Sequence, residues 1–220
     1  MQFRTIDDDR SMRRPAIETE SLARLDDDLD HDFEYGERLL DGIDWSGGVG
    51  DGILEESVVN DADLSGAVLS PFAIVDTVIG RSEISNGRWE RVTARRLEIT
   101  DCRLVGWQAQ FSLVTDLYIA DCRTDFAGIS IGTAKGPIVF ERCRFASASF
   151  LGDLSRAIFI DCTFRDADFS RVSDARGCDL RRSDLAGVNG LLSLSGALIT
   201  AEQAVDISGE LAVAAGFTLA

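Results

Sequence analysis

Residues 61–104 read DADLSGAVLSPFAIVDTVIGRSEISNGRWERVTARRLEITDCRL, and an apolar residue stands at every fifth position of this stretch. The spacing continues on both sides, so that thirteen consecutive positions of the series are apolar. They are Val59, Leu64, Leu69, Ile74, Ile79, Ile84, Trp89, Ala94, Ile99, Leu104, Ala109, Val114 and Ile119. The residues two positions earlier are mostly small or apolar, and most of the charged residues lie in between.

A period of five residues matches neither the helical period of about 3.6 nor the strand period of two. We therefore expect the chain to turn a corner every five residues, with about twenty residues completing one square coil. Every fifth side chain then points inward, and backbone hydrogen bonds join stacked coils about 4.8 Å apart. The predicted core column includes Leu64, Leu69, Ile84 and Leu104.

The register of the pattern shifts by one residue after Val139 and shifts back before Leu154. Between and beyond these shifts, phenylalanines recur at a separation of nineteen residues. The pairs are Phe140 and Phe159, Phe145 and Phe164, and Phe150 and Phe169. We expect one coil to be a residue shorter than the others and three phenylalanine pairs to stack in the core.

Four cysteines also recur at the period of one coil: Cys102, Cys122, Cys143 and Cys162 are spaced by 20, 21 and 19 residues. A thiolate metal site or a ladder of disulfides is one interpretation of this column. However, side chains one coil apart point side by side, no histidine joins them, and a reducing compartment keeps thiols free. We favour the interpretation that they are small, buried core residues.

Several five-residue units of the chain share one pattern. Residues 62–66 read ADLSG, residues 167–171 read ADFSR and residues 183–187 read SDLAG. These units resemble the A(D/N)LXX unit of the bacterial pentapeptide repeat proteins. The resemblance extends over about residues 42–198. It implies an all-β fold, a right-handed quadrilateral β-helix of about seven or eight coils.

The two ends of the chain depart from the repeat. Residues 1–40 are predicted to form an acidic, partly flexible lead with a short helix at 17–25, residues 41–198 the repeat column, and residues 199–220 a C-terminal capping helix and tail. Residues 200–203, TAEQ, fit a capping box, and the apolar spacing after them predicts a helix over 201–215. In the gyrase-inhibiting members that the chain resembles, the C-terminal coil and helix build a two-fold dimer. The resemblance thus implies a possible homodimer through Val205, Leu211, Phe217 and Leu219.

The composition limits the classes of partner. The 220 residues carry a net charge of −16, which argues against direct binding of nucleic acid through its phosphates. Residues 1–60 hold 17 acidic and 6 basic side chains, whereas residues 61–197 hold 18 and 16. No apolar run approaches the roughly 18 residues of a membrane helix, and the first residues lack a signal-peptide core. We expect a cytoplasmic protein that does not bind membranes.

The sequence offers little for catalysis. Its only histidine, His31, lies in the acidic lead, and its only lysine, Lys135, has no phosphate-binding loop around it. A convex column has no cleft in which carboxylates would acquire shifted pKa values. We therefore expect no enzymatic activity, no catalytic residues, no cofactor and no bound metal.

Function must then come from the outer surface, where aspartates and arginines stack at the coil period. The candidate partner face comprises Asp101, Arg103, Asp121, Arg123, Arg144, Asp161, Asp166 and Asp168. The resemblance implies one hypothesis, an acidic rod that mimics DNA, binds DNA gyrase or another type II topoisomerase, and protects it from quinolones or natural poisons. The near balance of charge over residues 61–197 favours the alternative, a scaffold or regulatory protein with an unrelated cytoplasmic protein partner. A continuous negative stripe would favour mimicry, whereas alternating charges would favour the scaffold.

Overall fold

The computed structural model of the chain describes residues 2–26 and 28–219. Met1, Asp27 and Ala220 lie outside the described residues. The predictions that place Met1 and Asp27 in the acidic lead and Ala220 in the C-terminal tail therefore lie outside them too. Half of the chain lies in strands that wind into a β-solenoid of about eight turns, followed by a short C-terminal helix. The predicted all-β fold is confirmed.

Sixteen strands and two α-helices follow one another along the described residues. The strands are β1 (Phe3–Thr5), β2 (Ser11–Arg13), β3 (Ala23–Arg24), β4 (Asp32–Gly36), β5 (Arg38–Asp41), β6 (Val49–Glu55), β7 (Val58–Asn60), β8 (Val68–Gly80), β9 (Arg88–Thr100), β10 (Gln108–Ala120), β11 (Gly128–Ile131), β12 (Ile138–Glu141), β13 (Ser149–Asp153), β14 (Ala157–Thr163), β15 (Asp168–Asp174) and β16 (Asp179–Asp184). The helices are α1 (Ala201–Asp206) and α2 (Ser208–Ala214), and a 3₁₀ turn at Leu191–Leu194 precedes them.

Strands β3 to β16 form one sheet in which all the pairings are parallel and join successive turns. Ile79 pairs with Ile99, and Ile99 pairs with Ile119, so that the partners are one turn of twenty residues apart. Parallel pairing satisfies the backbone of each turn through the turns above and below it. The five-residue pattern thus becomes a stack of equivalent turns.

The corners of the turns are backbone positions in the left-handed region. Within one turn, the angle φ is positive at Arg81 (50°), Asn86 (57°), Arg91 (52°) and Arg96 (52°), which are five residues apart. Residues other than glycine rarely adopt this conformation. Its regular recurrence shows that the chain bends four times in each twenty-residue turn, as the period of five predicts.

Every residue of the predicted core column is buried, including the four cysteines. The sheet register pairs Phe140 with Phe159 and confirms the shortened coil. The three predicted phenylalanine pairs stack with nearly parallel rings. Their ring centroids are 5.0 Å apart for Phe140 and Phe159, 5.6 Å for Phe145 and Phe164, and 4.6 Å for Phe150 and Phe169.

The N-terminal lead differs from the sequence expectation. No helix forms at 17–25, where a turn leads into β3. Strand β3 pairs with β5, and β4 pairs with β6, so the solenoid begins before residue 41. Leu25, Phe33 and Leu40 are buried in the main core, which explains why these turns join the column. The acidic residues described between them are exposed: Asp26, Asp28, Asp30, Asp32, Glu34 and Glu37.

The C-terminal helix forms where the sequence predicts it, with a break at Ile207 between α1 and α2. Thr200 and Gln203 form the predicted capping box. The Gln203 side chain also donates to the backbone oxygens of Leu180 and Ser183, at 2.8 and 2.7 Å. The helix therefore covers open backbone groups of the last turn. Among the described residues, no helix has the length and apolarity needed to cross a bilayer.

Candidate partner-binding surface

One corner of the solenoid carries a ladder of interleaved aspartates and arginines, which we call the corner ladder. Its members follow one another at successive turns: Asp61, Arg81, Asp101, Asp121, Arg142, Asp161 and Arg182. Arg81 donates to Asp61 at 2.7 Å, and Arg142 donates to Asp121 at 2.7 Å. Nitrogen and oxygen atoms of Arg182 and Asp161 are 3.5 Å apart.

The pairing along the corner ladder neutralises much of its charge. Hydrogen bonds from Arg142 lower the pKa of Asp121, and hydrogen bonds from Arg81 lower the pKa of Asp61. Both aspartates are therefore ionised at neutral pH, each beside a guanidinium. This part of the predicted partner face interleaves both signs of charge, with like charges on successive turns only at Asp101 and Asp121, and it is not a continuous negative stripe.

The predicted arginines Arg103, Arg123 and Arg144 lie beside the corner ladder, on three successive turns. A carboxylate missed by the sequence analysis, Asp125, holds two of them. Its oxygens accept from Arg123 at 2.7 Å and from Arg144 at 2.6 Å. Burial raises the pKa of Asp125, but the hydrogen bonds from the two arginines outweigh burial and lower it. The signal in the sequence is an aspartate two residues after Arg123, at a position where the neighbouring turns carry Val105 and Ala146.

The structure does not bring Asp166 and Asp168 into this group. Asp166 is exposed at the next corner, where its φ is 56°. Asp168 starts β15 and accepts from the backbone nitrogen of Ser170 at 2.8 Å, which fixes a local turn. Six of the eight predicted face residues therefore share one edge of the solenoid, and these two lie apart.

The strongest concentration of charge lies at the N-terminal end of the solenoid. Residues 23–60 contain 12 acidic and 2 basic side chains, a net charge of −10. Most of these carboxylates are exposed. Because β3 to β7 belong to the main sheet, this charge is fixed on the first turns of the solenoid. We call it the acidic end.

The cysteine column is a packing feature. All five cysteines are free thiols and buried. Cys102 and Cys122 each donate to a backbone oxygen of their own turn, of Thr100 and Ala120 respectively, at 3.1 Å. Burial raises the pKa of Cys178 to about 12. No cluster of metal-ligating side chains is found among residues 2–26 and 28–219.

A second surface was missed by the sequence analysis. Strands β1 and β2 pair as an antiparallel hairpin that lies against the outside of the solenoid. Met12 packs with apolar side chains that point outward from β10, β12 and β14. They are Tyr118, Ala120, Val139, Ile158 and Ile160. The sequence contains only a weak signal for this surface, because the column of Tyr118, Val139 and Ile158 is also apolar on earlier turns, at Val58 and Val78.

The C-terminal helices and the residues that follow them expose three of the four residues predicted for a dimer. Val205 is 72% exposed, Phe217 69% and Leu219 59%. Leu211 is half-buried instead, and packs against the core at the end of the solenoid. The spacing of the helix places Leu211 on the face that covers the last turn, so this residue belongs to the cap.

No protein-family model matches the chain, and no curated protein matches it. Among solved structures, it is similar to QnrB1, a plasmid-mediated fluoroquinolone resistance protein. A trypsin-treated form of QnrB1 aligns with 20% identity and a TM-score of 0.46 over 90% of this chain and 98% of that one. The full-length form aligns with 18% identity and a TM-score of 0.42 over 82% and 94%.

A further similar structure is HetL, a pentapeptide repeat protein involved in heterocyst differentiation regulation in the cyanobacterium Nostoc sp. strain PCC 7120. The alignment has 13% identity and a TM-score of 0.30, and covers 77% of this chain and 85% of HetL. The solved structures that the chain is similar to thus include a pentapeptide repeat protein, of the family that its own repeating units resemble.

Proposed function

We propose that the chain is a non-catalytic protein that binds a protein partner through its outer surface, and that DNA gyrase is the partner to test first. The acidic end carries this proposal. Its net charge of −10 lies on turns of the solenoid itself, where a basic DNA-binding surface can reach it. A rigid acidic rod attracts partners that normally hold DNA.

The state of the shifted carboxylates supports a binding role over acid-base chemistry. Arginines hold Asp121 and Asp125 in their charged form by lowering the pKa values of both. A general acid or base needs a pKa near the working pH.

A cytoplasmic location belongs to the same proposal, because buried free thiols suit a reducing compartment.

The gyrase proposal is tested by supercoiling assays with the purified protein, with and without a quinolone. We expect the wild-type protein to change the supercoiling activity. Replacing Asp28, Asp32, Glu34 and Glu37 by their amides should weaken the effect at least about tenfold, since charge complementarity drives the encounter. The matched control removes the same number of charges elsewhere, at Asp101, Asp121, Asp161 and Asp166, and should keep the effect. A wild-type protein without effect at high excess would remove gyrase from consideration.

The corner ladder favours the second candidate function, a scaffold or regulator with an unrelated protein partner. Interleaved Asp and Arg side chains suit a partner with a complementary pattern better than they imitate a phosphate backbone. This candidate gains support if a defined partner loses binding to the variant at Asp101, Asp121, Asp161 and Asp166 but keeps binding to the acidic-end variant. A partner that loses binding to the acidic-end variant but keeps binding to the variant at Asp101, Asp121, Asp161 and Asp166 would contradict it.

We also propose that two chains associate through the exposed apolar residues of the C-terminal helices. Replacing Val205 and Phe217 with aspartate should raise the dimer dissociation constant at least about tenfold, because two charges would be buried in an apolar contact. Sedimentation velocity measures the change. Phe126→Asp is the control, since Phe126 is 63% exposed but far from the C terminus. A wild-type protein that stays monomeric at high concentration would contradict the dimer.

A further inference from the structure

The N-terminal hairpin spans a stripe that runs across five turns of the solenoid. Sheet register places Glu98, Tyr118, Val139, Ile158 and Asp179 one above another on successive turns. The stripe is apolar in its middle and acidic at both ends. We call it the covered stripe.

The hairpin matches the covered stripe in the order of its side chains. At one end, Arg4 and Arg14 donate to Glu98 at 2.9 and 2.8 Å. In the middle, Met12 lies over the apolar residues and is only 2% exposed. At the other end, Arg10 donates to Asp179 at 2.6 Å.

Two further contacts fix the path of the hairpin over Tyr118 and Asp116. The guanidinium carbon of Arg4 lies 3.7 Å from the centroid of the Tyr118 ring, in a cation–π contact. The Asp116 carboxylate accepts from the backbone nitrogen of Arg13 at 3.2 Å. The covered stripe and the neighbouring Asp116 therefore contact both the side chains and the backbone of an extended segment.

The hairpin is structurally separate from the main sheet of the solenoid. Strands β1 and β2 pair with each other, from Phe3 with Arg13 to Thr5 with Ser11, in a two-stranded sheet separate from the main one. In the described residues, its backbone-to-backbone hydrogen bonds stay within the hairpin, as from Arg14 to Gln2 and from Ile6 to Arg10. A two-stranded hairpin with strands of three residues has little stability of its own. Its position thus depends on the covered stripe.

The covered stripe in turn depends on an occupant. The Glu98 side chain is 4% exposed, and its ion pairs are with Arg4 and Arg14 of the hairpin. Without the hairpin, the stripe would present apolar side chains on three successive turns. Contiguous apolar surface of this kind marks interaction sites in soluble proteins.

We propose that the hairpin is a removable cover, and that the covered stripe is a docking surface for an extended segment of a partner protein with an apolar side chain between arginines. Charge complementarity and the occupant seen on the stripe define this chemistry. The partner segment and the chain's own residues 4–14 compete for the same surface. This inference concerns a different surface from the acidic end and does not rest on gyrase being a partner.

The test uses the full chain and a labelled synthetic peptide with the sequence of residues 2–16. Met12→Glu places a charge over the apolar middle of the stripe and should lift the hairpin. We expect the peptide to bind this variant at least about tenfold more tightly than the wild type, whose own hairpin competes at high effective concentration. Phe3→Glu is the matched control, because Phe3 is 58% exposed on the same hairpin, and it should behave as wild type. A peptide with glutamate in place of methionine should bind neither the wild type nor either of the two variants.

A second readout reports whether the hairpin has left. Burial and a 2.7 Å hydrogen bond from Tyr118 to Glu141 raise the pKa of Tyr118 to about 12. Departure of the hairpin removes the burial, which is the largest cause of the raised pKa, and also the charge of Arg4, which acts in the opposite direction. Because the effect of burial is the larger one, ultraviolet titration should show a lower pKa for this tyrosine in Met12→Glu, and a return toward about 12 when the peptide is added. Circular dichroism checks that the solenoid remains folded.

Three results would overturn the proposal. An unchanged titration of Tyr118 in Met12→Glu would mean that the hairpin does not leave. A lowered Tyr118 pKa without peptide binding would mean that the stripe accepts no segment in trans. A wild-type dimer that Met12→Glu dissociates would mean that two copies exchange hairpins, and that no separate partner is needed.

Discussion

Phe159→Ala should lower the free energy of unfolding by about 4 kcal/mol, within the range for removing a buried aromatic ring from a core. Phe159 is buried at the centre of the phenylalanine cluster. Its ring centroid lies 5.0 Å from that of Phe140, 5.5 Å from that of Phe150 and 5.2 Å from that of Phe164. A cavity there would remove contacts within its own turn and contacts to the preceding turn. Urea unfolding followed by circular dichroism measures the change.

Phe126→Ala is the control for this prediction. Phe126 is a phenylalanine of the same solenoid, but its ring is exposed at a corner. Its removal should change the stability by less than about 0.5 kcal/mol, as is usual for surface substitutions. Equal effects of the two substitutions would mean that the cluster does not hold the turns together.

The position of this cluster could be predicted because it depends on local spacing alone. The separation of nineteen residues between Phe140 and Phe159 reports both the pairing and the shortened turn. Each turn of a solenoid contacts only its neighbours, so a periodic sequence defines most of the core without knowledge of distant contacts. The same argument holds for the corners, which recur every five residues.

The N-terminal turns were missed because their spacing is irregular. Leu40, Trp45 and Gly50 are five residues apart but lie one position out of register with the series that starts at Val59, and the register is restored only at Leu54, five residues before Val59. Acidic residues around them resemble a solvated lead. Leu25 and Phe33 are nevertheless buried in the main core, which stabilises these turns as part of the solenoid. Pairing with later strands extends the sheet to β3.

The residues of the covered stripe could be predicted from the sequence, but the segment that covers it could not. The outward apolar residues Tyr118, Val139 and Ile158 recur one turn apart in the sequence, as Val58 and Val78 do in the same column on earlier turns. What covers them is Met12, which lies more than one hundred residues earlier and belongs to no repeat. Local periodicity contains no information about this contact, since it depends on the path of a non-repetitive segment.

Gly152→Ala should destabilise the solenoid by about 3 kcal/mol, the upper range for a strained backbone position. The angle φ of Gly152 is +83°, and the residue pairs with Ile131 of the preceding turn. A β-carbon there would lie 2.0 Å from the backbone oxygen of Ile131 and 3.0 Å from its carbonyl carbon. Backbone atoms cannot move away as a flexible side chain could, because they belong to the ladder between turns. Relief of the overlap would have to separate β11 from β13.

Gly42→Ala isolates the steric part of this effect from the dihedral part. Gly42 has a similar φ of +73°, but a β-carbon there would meet nothing within 4 Å. Its replacement should cost only about 1 kcal/mol, the usual cost of placing an L-residue in the left-handed region. The difference between the two variants in urea unfolding then measures the close approach of successive turns. Equal losses would mean that the turns can move apart at this corner, and that the tight stacking of β11 and β13 does not limit which residues the repeat accepts.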